Sequence, residues 1–271
     1  MKTILLVGAG NMGFSMLRGW LQSLDDTYRF VVADPMAGPR LERLDAGVRA
    51  RLLTVVELKN LPADMRPDAV VFATKPDGVC AAIETIHSHL LPETVLVSVA
   101  AGLQIAQMRK SAPGNQPIVR VMPNIGALIG QSASAGIASE QTNADQSALV
   151  EVLFRALGHF TWLRSEDEMH VVTAVSGSGP AYFFAMCEAM IASAIENGLS
   201  RDVAETLVLA TCSAAGGLIE QTPNAALLRE QVTSPGGTTA AGLAALARDA
   251  ALQTVIASAI DAARKRSIEM A

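Results

Sequence analysis

Short apolar runs recur along the first half of the chain, and longer stretches with helical spacing of apolar residues separate them. Runs of this length, rich in valine and isoleucine, are typical of strands that are buried in a sheet. Strands are predicted at residues 3–7, 30–33, 69–74, 95–99 and 118–122, with weaker candidates at 136–138 and 160–163. Helices are predicted between them, for example at 15–24 and 76–91. This alternation predicts an α/β fold, a doubly wound and mostly parallel sheet with helices on both faces.

The pattern changes after Leu163. No strand-like run follows, and residues 166–271 have the apolar spacing of helices, interrupted by glycine and proline at 176–180. We therefore predict an α/β domain over residues 1–164 and an all-helical domain over residues 165–271. The later helices are apolar on more than one face and carry little charge before Asp261, so another subunit is expected to cover part of their surface.

Composition narrows the possible partners. The chain has 271 residues, half of them apolar, and its 26 acidic and 21 basic residues give a formal charge of −5. It has no basic block that would follow a phosphate backbone, so nucleic acid is not expected as a partner. Cys80, Cys187 and Cys212 are far apart in the sequence and have apolar neighbours, which predicts reduced thiols and a cytoplasmic protein.

Membrane and metal sites are not expected. The uncharged runs at 121–139 and 169–187 are long enough to be considered as membrane spans, but both contain proline and polar side chains. Residues 1–7 are too short an apolar segment for a signal peptide. The four histidines are not spaced as metal ligands with cysteines or acidic residues, so we predict no metal site.

A glycine-rich turn joins the first predicted strand to the first predicted helix. The cofactor-binding residues predicted from this turn are Gly8, Ala9, Gly10, Asn11, Met12 and Gly13. The first glycine allows a tight turn, the second lets a pyrophosphate approach the backbone, and the third lets the helix pack closely on the strand. The N-terminus of the helix then faces the phosphates. At the first strand of an alternating pattern, the turn predicts a Rossmann-type dinucleotide-binding domain.

Asp34 follows the second predicted strand, about 20 residues after the last glycine of the turn, as is usual in dinucleotide-binding domains. A carboxylate at this position normally accepts hydrogen bonds from the adenosine ribose and repels a 2′-phosphate, which indicates NAD. The alternative is a structural role, in which Asp34 caps a turn before Pro35.

A break in the helical half precedes an alanine-rich helix. Residues 230–246 read E-Q-V-T-S-P-G-G-T-T-A-A-G-L-A-A-L, in which the proline and glycines end one helix and the threonines begin the next. A helix N-terminus has unpaired backbone N–H groups and partial positive charge, and two glycines let a ligand approach it. Such a turn suits a small carboxylate. The alternative is an ordinary turn in which Ser234 or Thr238 caps the helix.

This stretch resembles the signature of pyrroline-5-carboxylate reductases, T-S-P-G-G-x-T followed by small and apolar residues. The matching positions are Gly236, Gly237, Thr239, Gly242, Leu243 and Leu246, and Ala247 departs from the acidic or amide residue usual in the family. The segment S-G-S-G-P-A-Y at 176–182 is also a family motif, for which we expect a packing role. Matches extend from Val7 to Leu246, so the resemblance covers nearly the whole chain.

The resemblance implies further cofactor contacts at the ends of three strands. Turns containing T-K-P, A-A-G and M-P-N correspond to the family motifs A-V-K-P, A-A-G and M-P-N. By this resemblance the residues that border the nicotinamide half of the cofactor are Ala73, Thr74, Lys75 and Ala101, with Asn124 nearby. Without the resemblance, Lys75 would be interpreted as a solvated lysine, and Asp77 stands where the family often has an amide.

The resemblance also changes the prediction for the cofactor. Family members commonly accept or prefer NADPH, whereas Asp34 indicates NAD. Arg40 would supply a counter-charge for a 2′-phosphate if its loop folds back over the site. Both NADPH and NADH are therefore kept as cofactors.

The implied activity is the reduction of 1-pyrroline-5-carboxylate to L-proline. The substrate site would consist of Ser234, Gly236, Gly237, Thr238 and Thr239. Unpaired backbone N–H groups at 237–239 would hold the substrate carboxylate, and the hydroxyl of the catalytic residue Thr239 would bind the ring nitrogen. The family builds an intertwined dimer from its helical domain, which implies a homodimer or a higher homo-oligomer built from dimers.

Two other functions stay open at this point. One is a related reductase of the same two-domain build that acts on a β-hydroxy acid or on another cyclic imine. Relatives that act on hydroxy acids usually have a catalytic lysine in the first long helix after the domain boundary, and the helix after Pro180 has none. The other is a protein that senses NAD(P) without catalysis, against which the intact segment 234–239 argues.

Overall fold

The computed structural model describes residues 1–42, 44, 46–49 and 52–271. In chain order the strands are β1 (Lys2–Val7), β2 (Tyr28–Ala33), β3 (Leu52–Val55), β4 (Ala69–Phe72), β5 (Val95–Ser98), β6 (Ile118–Met122), β7 (Ser132–Ala138) and β8 (Gly158–Trp162). The helices in this half are α1 (Asn11–Ser23), α2 (Gly38–Leu41), α3 (Ala46–Arg49), α4 (Pro76–Thr85), α5 (Ile105–Ser111) and α6 (Ala144–Arg155). Short 3-10 turns lie at Leu58–Asn60, His87–His89 and Ile125–Ile129.

The strands form one sheet in the order β3-β2-β1-β4-β5-β6-β7-β8. All neighbouring strands pair in parallel except β6 and β7, which are antiparallel. The prediction of a mostly parallel, doubly wound sheet is therefore confirmed. The edge strand β3 was not predicted, although three of its four residues, L-L-T-V, are apolar; in the structure only Val55 is buried. The helix predicted at 76–91 ends at Thr85 and continues as the 3-10 turn.

Apolar residues cover both faces of the sheet, since successive side chains of a strand point to opposite faces. In β1, Ile4 and Leu6 belong to a cluster that includes Trp20 of α1, whereas Leu5 and Val7 belong to a second cluster on the other side. Trp20 is fully buried, and its indole N–H donates to the carbonyl of Leu153 at 2.8 Å. This bond ties α1 to α6 on the face that carries the glycine-rich turn.

The second half of the chain is helical, as predicted. Its helices are α7 (Glu168–Val172), α8 (Gly179–Glu196), α9 (Arg201–Gln221), α10 (Ala225–Gln231), α11 (Thr238–Ala247) and α12 (Ala251–Glu269). A π-helical turn at Thr173–Gly177 joins α7 to α8, and a 3-10 turn at Arg248–Ala250 joins α11 to α12. Pro180 lies in the first turn of α8, which begins at Gly179.

The chain forms two compact units. The first contains Met1–Ser178 together with Ala263–Ala271, and the second contains Gly179–Ala262. The first unit therefore continues beyond Ser165, where we placed the domain boundary, and it also includes the end of α12. The domain limits 1–164 and 165–271 stay a prediction.

Residues 263–271, here called the return segment, are held to the first unit by specific contacts. The side-chain amide of Gln107 donates to the carbonyl of Ala271 at 3.0 Å, and His170 Nδ1 lies 3.0 Å from the Ser267 hydroxyl. Gly102, in the turn after β5, has a φ of +82°, and a Cβ there would lie 2.6 Å from the carbonyl oxygen of Met270. The turn and the return segment thus fit closely only because residue 102 is glycine.

The helices of the second unit expose many large apolar side chains. Phe184 of α8 is 62% exposed, Leu209 of α9 is 56% exposed and Val255 of α12 is 64% exposed. By length and composition alone, Arg201–Gln221 and Thr238–Glu269 would be long and apolar enough to cross a membrane. The second of these stretches is interrupted at Asp249, where φ is +51°. Exposed apolar surface on this scale marks an interaction surface.

Two of the three thiols lie together in the second unit. Cys187 on α8 and Cys212 on α9 are distant in sequence, yet the hydrogen bond between their side chains, together with burial, raises the pKa of the Cys187 thiol. A thiol with a raised pKa stays protonated near neutral pH and is a poor nucleophile. The pair therefore packs α8 against α9 as two small apolar groups.

Candidate active site

The glycine-rich turn has the geometry that a dinucleotide needs. Gly8 has a φ of +93°, and a Cβ at Gly13 would collide with the carbonyl oxygen of Gly8 and lie 3.2 Å from the Cβ of Ala73. A Cβ at Gly10 would meet nothing within 4 Å. Gly8 and Gly13 are thus required by the turn and by close packing, whereas Gly10 leaves open space beside the N-terminus of α1. The residues present fit the pyrophosphate of a dinucleotide.

Asp34 braces this turn from the end of β2. Its Oδ2 accepts the backbone N–H of Ala9 at 2.6 Å, and its Oδ1 accepts the backbone N–H of Met36 at 2.6 Å. The second bond is the turn-capping role that we considered as an alternative. The carboxylate therefore holds its own turn and also braces the dinucleotide turn, whereas its contact with the adenosine ribose stays a prediction.

The loop that carries Arg40 does fold back. Arg40 Nη1 donates to the carbonyl of Ala9 at 2.8 Å, and Nη2 donates to Asn11 Oδ1 at 3.0 Å. The guanidinium therefore lies against the glycine-rich turn, next to the residue whose N–H is held by Asp34. This is the arrangement on which a counter-charge for a 2′-phosphate depends.

A cavity of about 420 Å³ opens beside this turn. Among its lining residues are Gly8, Asp34, Leu58, Thr74, Gly78 and Ala81. Thr74 Oγ1 is buried and has no hydrogen-bond partner in the part of the chain that the structure describes. A Cβ at Gly8 would lie 2.9 Å from Thr74 Cγ2, which shows that the methyl group of Thr74 packs against the turn. Asp34, predicted to face the adenosine ribose, thus lines the same cavity as Thr74, which the resemblance places beside the nicotinamide half, and both contacts stay predictions.

A larger cavity, of about 510 Å³, lies elsewhere in the first unit. Its lining residues come from β7, β8 and the segment 171–176, and most are apolar. It includes none of the residues predicted to bind cofactor or substrate, so size alone does not mark the site.

The other predicted cofactor residues follow strands of the same sheet. Lys75 is the N-cap residue of α4, with Pro76 in the first turn, and Ala101 lies in the turn that Gly102 completes. Asn124 is buried, and its side chain makes three hydrogen bonds: its Oδ1 accepts the backbone N–H groups of Gly126 and Ala133, and its Nδ2 donates to the carbonyl of Ser176 at 3.0 Å. Asn124 therefore anchors the π-helical turn, a contact that the sequence did not suggest.

The predicted carboxylate site lies in the second unit, at the N-terminus of α11. Gly236 has a φ of +72°, and Gly237 is the N-cap residue, so no side chain caps the helix. The alternative in which Ser234 or Thr238 caps α11 is therefore wrong. The structure also corrects our prediction for Gly237, because its N–H donates to the carbonyl of Ser234 at 3.0 Å. The N–H groups at the start of α11 that have no helical acceptor begin with Thr238 and Thr239.

The side chains at this helix start are accessible. Ser234, Thr238 and Thr239 are all exposed in the chain as described. The turn thus combines exposed hydroxyls, uncapped N–H groups and the positive end of a ten-residue helix, an arrangement that suits a carboxylate. No group of three or more His, Cys, Asp or Glu that could hold a metal ion occurs among the described residues.

Two family models match the chain. One, described as "Pyrroline-5-carboxylate reductase dimerisation", matches residues 166–270, and the other, described as "NADP oxidoreductase coenzyme F420-dependent", matches residues 3–102. The first model supports homo-oligomer formation, and the part of the chain that it matches contains the exposed apolar helices α8, α9 and α12.

Relatives named pyrroline-5-carboxylate reductase match the whole length. The protein of Pseudomonas aeruginosa is 36% identical over 269 residues, which cover 99% of this chain and 96% of the relative. The protein of Haemophilus influenzae is 33% identical over 271 residues, which cover 99% and 97%.

Solved structures of such proteins have the same fold. The pyrroline-5-carboxylate reductase of Coxiella burnetii superposes with a TM-score of 0.89 at 30% identity, covering 99% of this chain and 98% of the other. The pyrroline carboxylate reductase of Plasmodium falciparum, with NADP bound, superposes with a TM-score of 0.80 at 26% identity, with coverage of 99% and 98%. The resemblance found in the sequence motifs is confirmed: this chain belongs to the pyrroline-5-carboxylate reductase family.

Proposed function

We propose that this protein reduces 1-pyrroline-5-carboxylate to L-proline with NADPH or NADH, which is the last step of proline biosynthesis. The observation that carries the proposal is the uncapped N-terminus of α11, with Thr238 and Thr239 exposed on it at the position of the family signature. The full-length similarity to relatives named for this activity supports it.

In this proposal the glycine-rich turn of the first unit holds the dinucleotide. The open space at Gly10 admits the pyrophosphate, and the N-terminus of α1 favours its negative charge. Ala73, Lys75 and Ala101 would border the nicotinamide half. The bound cofactor supplies a hydride to the C=N carbon, and the protein contributes position and electrostatics.

The substrate carboxylate would bind at the start of α11. The N–H groups of Thr238 and Thr239 point out of the helix end, and Gly236 and Gly237 present no side chain that would block a ligand. A carboxylate bound to two or more backbone N–H groups is well stabilised at a helix N-terminus. This contact would fix one end of the small ring.

The Thr239 hydroxyl would hydrogen-bond the ring nitrogen and help to deliver a proton as the amine forms. A protonated imine is already electrophilic, so the reaction does not require a strong acid. A hydroxyl is both donor and acceptor, which lets one group follow the nitrogen as it changes from imine to amine.

The first prediction tests this role. Replacing Thr239 by alanine should lower kcat/KM for pyrroline-5-carboxylate by about tenfold to a thousandfold, because a contact that positions the reacting atom is lost. The measurement is steady-state oxidation of the reduced cofactor with purified protein.

Thr238→Ala is the matched control, because it removes the neighbouring exposed hydroxyl and keeps the backbone N–H. We expect this variant to retain most of its activity. Equal losses in the two variants, or an unchanged rate in Thr239→Ala, would remove the Thr239 hydroxyl from the mechanism.

The function itself is tested by supplying pyrroline-5-carboxylate to the wild-type protein with NADH and, separately, with NADPH. Rapid oxidation of either cofactor with formation of proline supports the proposal. A folded protein that binds the dinucleotide but gives no turnover would overturn it and would favour a sensor.

We also propose a homodimer, or a larger assembly built from dimers, that works in the cytoplasm. The exposed apolar helices of the second unit and the match to a dimerisation model support this assembly. In the same proposal, residues 1–164 bind the dinucleotide, and residues 165–271 bind substrate and form the dimer.

A further inference from the structure

We infer that the return segment positions the nicotinamide half of the cofactor, because it holds the turn after β5 in the conformation that binds this half. The inference rests on the proposed function, since it concerns the cofactor of that reaction. It is carried by the close fit between Met270 and Gly102, which follows the predicted nicotinamide contact Ala101. The residues of the return segment act through the turn and do not contact the cofactor themselves.

The order of the strands places the turn after β5 on the nicotinamide side of the cofactor site. A dinucleotide lies across the carboxyl ends of the two halves of such a sheet, and the half that contains the glycine-rich turn binds the adenosine. In this sheet that half is β3-β2-β1, and β4 and β5 begin the other half. The nicotinamide is therefore expected beside the turns at Lys75, after β4, and at Ala101, after β5.

The turn after β5 does little to fix its own conformation. No hydrogen bond within the described part of the chain involves the backbone of Ala101 or Gly102. Gly102 has a φ of +82°, in the left-handed region that glycine adopts without strain. The backbone N–H and C=O groups of Ala101 are thus available to a ligand, and the conformation of the turn depends on what packs against it.

The return segment provides that packing. A Cβ at Gly102 would lie 2.6 Å from the carbonyl oxygen of Met270 and 3.2 Å from its Cβ, so the two backbones are in close contact. A cavity of about 380 Å³ at this contact is lined by Met270 and Gly102, and also by Pro76, the residue after Lys75. Met270 therefore shares a cavity with residues from both strand ends that are predicted to border the nicotinamide.

Hydrogen bonds hold the return segment in this place. Gln107 Nε2, in α5, donates to the carbonyl of Ala271 at 3.0 Å, and the hydroxyl of the buried Ser267 lies 3.0 Å from His170 Nδ1. Gln107 Oε1 accepts the N–H of Gln104 at 2.7 Å, which caps α5. One side chain thus caps the helix that follows the turn and anchors the segment that packs on the turn.

The test is equilibrium binding, by titration calorimetry, to wild type and three variants. The ligands are NADH and ADP-ribose, and in parallel NADPH and 2′-phospho-ADP-ribose. The ribose compounds keep the adenosine and the pyrophosphate but lack the nicotinamide. They therefore report on the rest of the cofactor site alone.

Two variants disturb the contact from opposite sides. Gly102→Ala places a methyl group against Met270, whereas Gln107→Glu removes the donor to Ala271 and keeps the oxygen that caps α5. Gly114→Ala is the matched control for the first variant. Gly114 also has a positive φ, +54°, but a Cβ there would meet nothing within 4 Å.

We expect Gly102→Ala to raise the Kd for NADH about tenfold, and Gln107→Glu about threefold to tenfold, because the nicotinamide loses its contacts with the turn. The Kd for ADP-ribose should stay within about twofold of wild type in both variants. Gly114→Ala should change neither Kd. The emission spectrum of bound NADH depends on the surroundings of the nicotinamide, and in Gly102→Ala and Gln107→Glu it should shift towards that of free NADH.

Three results would overturn the inference. Equal increases in Kd for NADH and ADP-ribose would mean that the return segment only stabilises the fold. Unchanged Kd values in both Gly102→Ala and Gln107→Glu would mean that the turn keeps its conformation without this contact. Equal effects of Gly102→Ala and Gly114→Ala would mean that backbone strain alone explains the loss. If Gly102→Ala does not fold, Gln107→Glu decides, since it leaves the sequence of the turn intact.

The inference and the proposed function fail in different ways. If wild type reduces pyrroline-5-carboxylate while the variants leave the ratio of the two Kd values unchanged, the function stands and the inference falls. If the variants selectively lose affinity for NADH but wild type gives no turnover with either cofactor, the inference stands and the function falls.

Discussion

At the residue scale, the hydroxyl of Thr74 is not satisfied by the part of the chain that the structure describes. Its Oγ1 is buried and has no hydrogen-bond partner among the described residues, and the methyl group packs against Gly8. A buried hydroxyl without a partner costs free energy, because it loses its hydrogen bonds to water. By the resemblance to the motif A-V-K-P, valine is the residue expected at this position.

We therefore predict that Thr74→Val stabilises the protein without ligand. Valine has nearly the same shape and removes the unsatisfied hydroxyl, which should raise the free energy of unfolding by about 1 kcal/mol. The corresponding rise in Tm is about 2–4 °C for a chain of this size. Thermal unfolding at fixed protein concentration measures it.

Thr94→Val is the control for this prediction. Thr94 is also buried, but its hydroxyl donates to the carbonyl of Pro67 at 2.7 Å and accepts the N–H of Leu91 at 3.1 Å. The same substitution should therefore destabilise the protein by about 1–3 kcal/mol. A shift of Tm in the same direction for both variants would contradict our account of Thr74.

Residues whose role depends on the backbone were predictable from the sequence, and residues whose role depends on a distant partner were not. Gly8 and Gly13 have the roles expected from the motif, because a tight turn and close packing leave no space for a Cβ. Arg40 could only be named conditionally, since its loop had to fold back. Two hydrogen bonds could not be predicted from the sequence. They join the Asn124 side chain to the carbonyl of Ser176 and the N–H of Gly237 to the carbonyl of Ser234.

At the element scale, one ion pair joins three elements of the first unit. Arg120 in β6 is buried, and its Nη1 donates to Glu166 Oε1 at 2.5 Å. The same oxygen accepts the N–H of Ile105, the first residue of α5, at 2.8 Å. The Glu166 carboxylate thus connects the centre of β6, the start of α5 and the residues before α7.

We predict that Glu166→Gln destabilises the protein by about 1–3 kcal/mol, because it leaves the buried Arg120 charge without its anion. The value is lower than for a fully buried pair, since the Glu166 side chain is 32% exposed. Urea unfolding at fixed protein concentration measures the loss.

The double variant Arg120→Met, Glu166→Gln provides the control. This variant has neither the arginine nor the carboxylate, so no buried charge is left unpaired. Its loss in free energy of unfolding should therefore be smaller than the sum of the losses in the two single variants. Additive losses would show that the two side chains do not interact in solution.

The positions of strands were predictable because apolar runs identify them, whereas their directions and edges were not. Strand β7 runs antiparallel to β6 because residues 123–131 are too few for the helical crossover that a parallel pair needs. Strand β3 was missed although its sequence L-L-T-V is apolar, and its place at the edge of the sheet, with only Val55 buried, could not be read from the sequence. The helical spacing of the second half was a strong signal, and α8 to α12 follow it.

At the scale of the whole molecule, the exposed apolar helices of the second unit agree with the homo-oligomer that the dimerisation model supports. Phe183, Phe184 and Leu207 are each more than half exposed in the single chain. Exposed apolar area of this kind is stabilised when a second copy covers it. Helix α9 is long and apolar enough to be considered as a membrane span because its apolar side chains form part of this exposed surface.

We predict that the protein sediments as a dimer or larger assembly at micromolar concentration. Phe184→Glu should shift it towards monomer and lower its Tm, because a charge would be buried in the interface. Glu196→Gln, an exposed position on the same helix, should change neither. Sedimentation velocity over a range of protein concentrations measures the assembly state of each variant. A monomeric wild type would contradict the prediction.

The change in periodicity predicted that the chain has two parts. Which residues belong to each part could not be predicted in the same way. The return segment packs on Gly102 and Gln107 through contacts between residues more than 160 positions apart. Such contacts leave no local pattern in a single sequence, so the return of α12 to the first unit was not foreseen.

The return segment also sets the order in which the protein is completed on the ribosome. Everything from Gly179 to Ala262 must be synthesised before residues 263–271 can emerge and cover the turn at Gly102. At about 5–20 residues per second, synthesis of the chain beyond Ser178 takes roughly 5–20 s. The contacts between the return segment and the turn at Gly102 can therefore form only seconds after Ser178 has been added, once the helical unit has been translated.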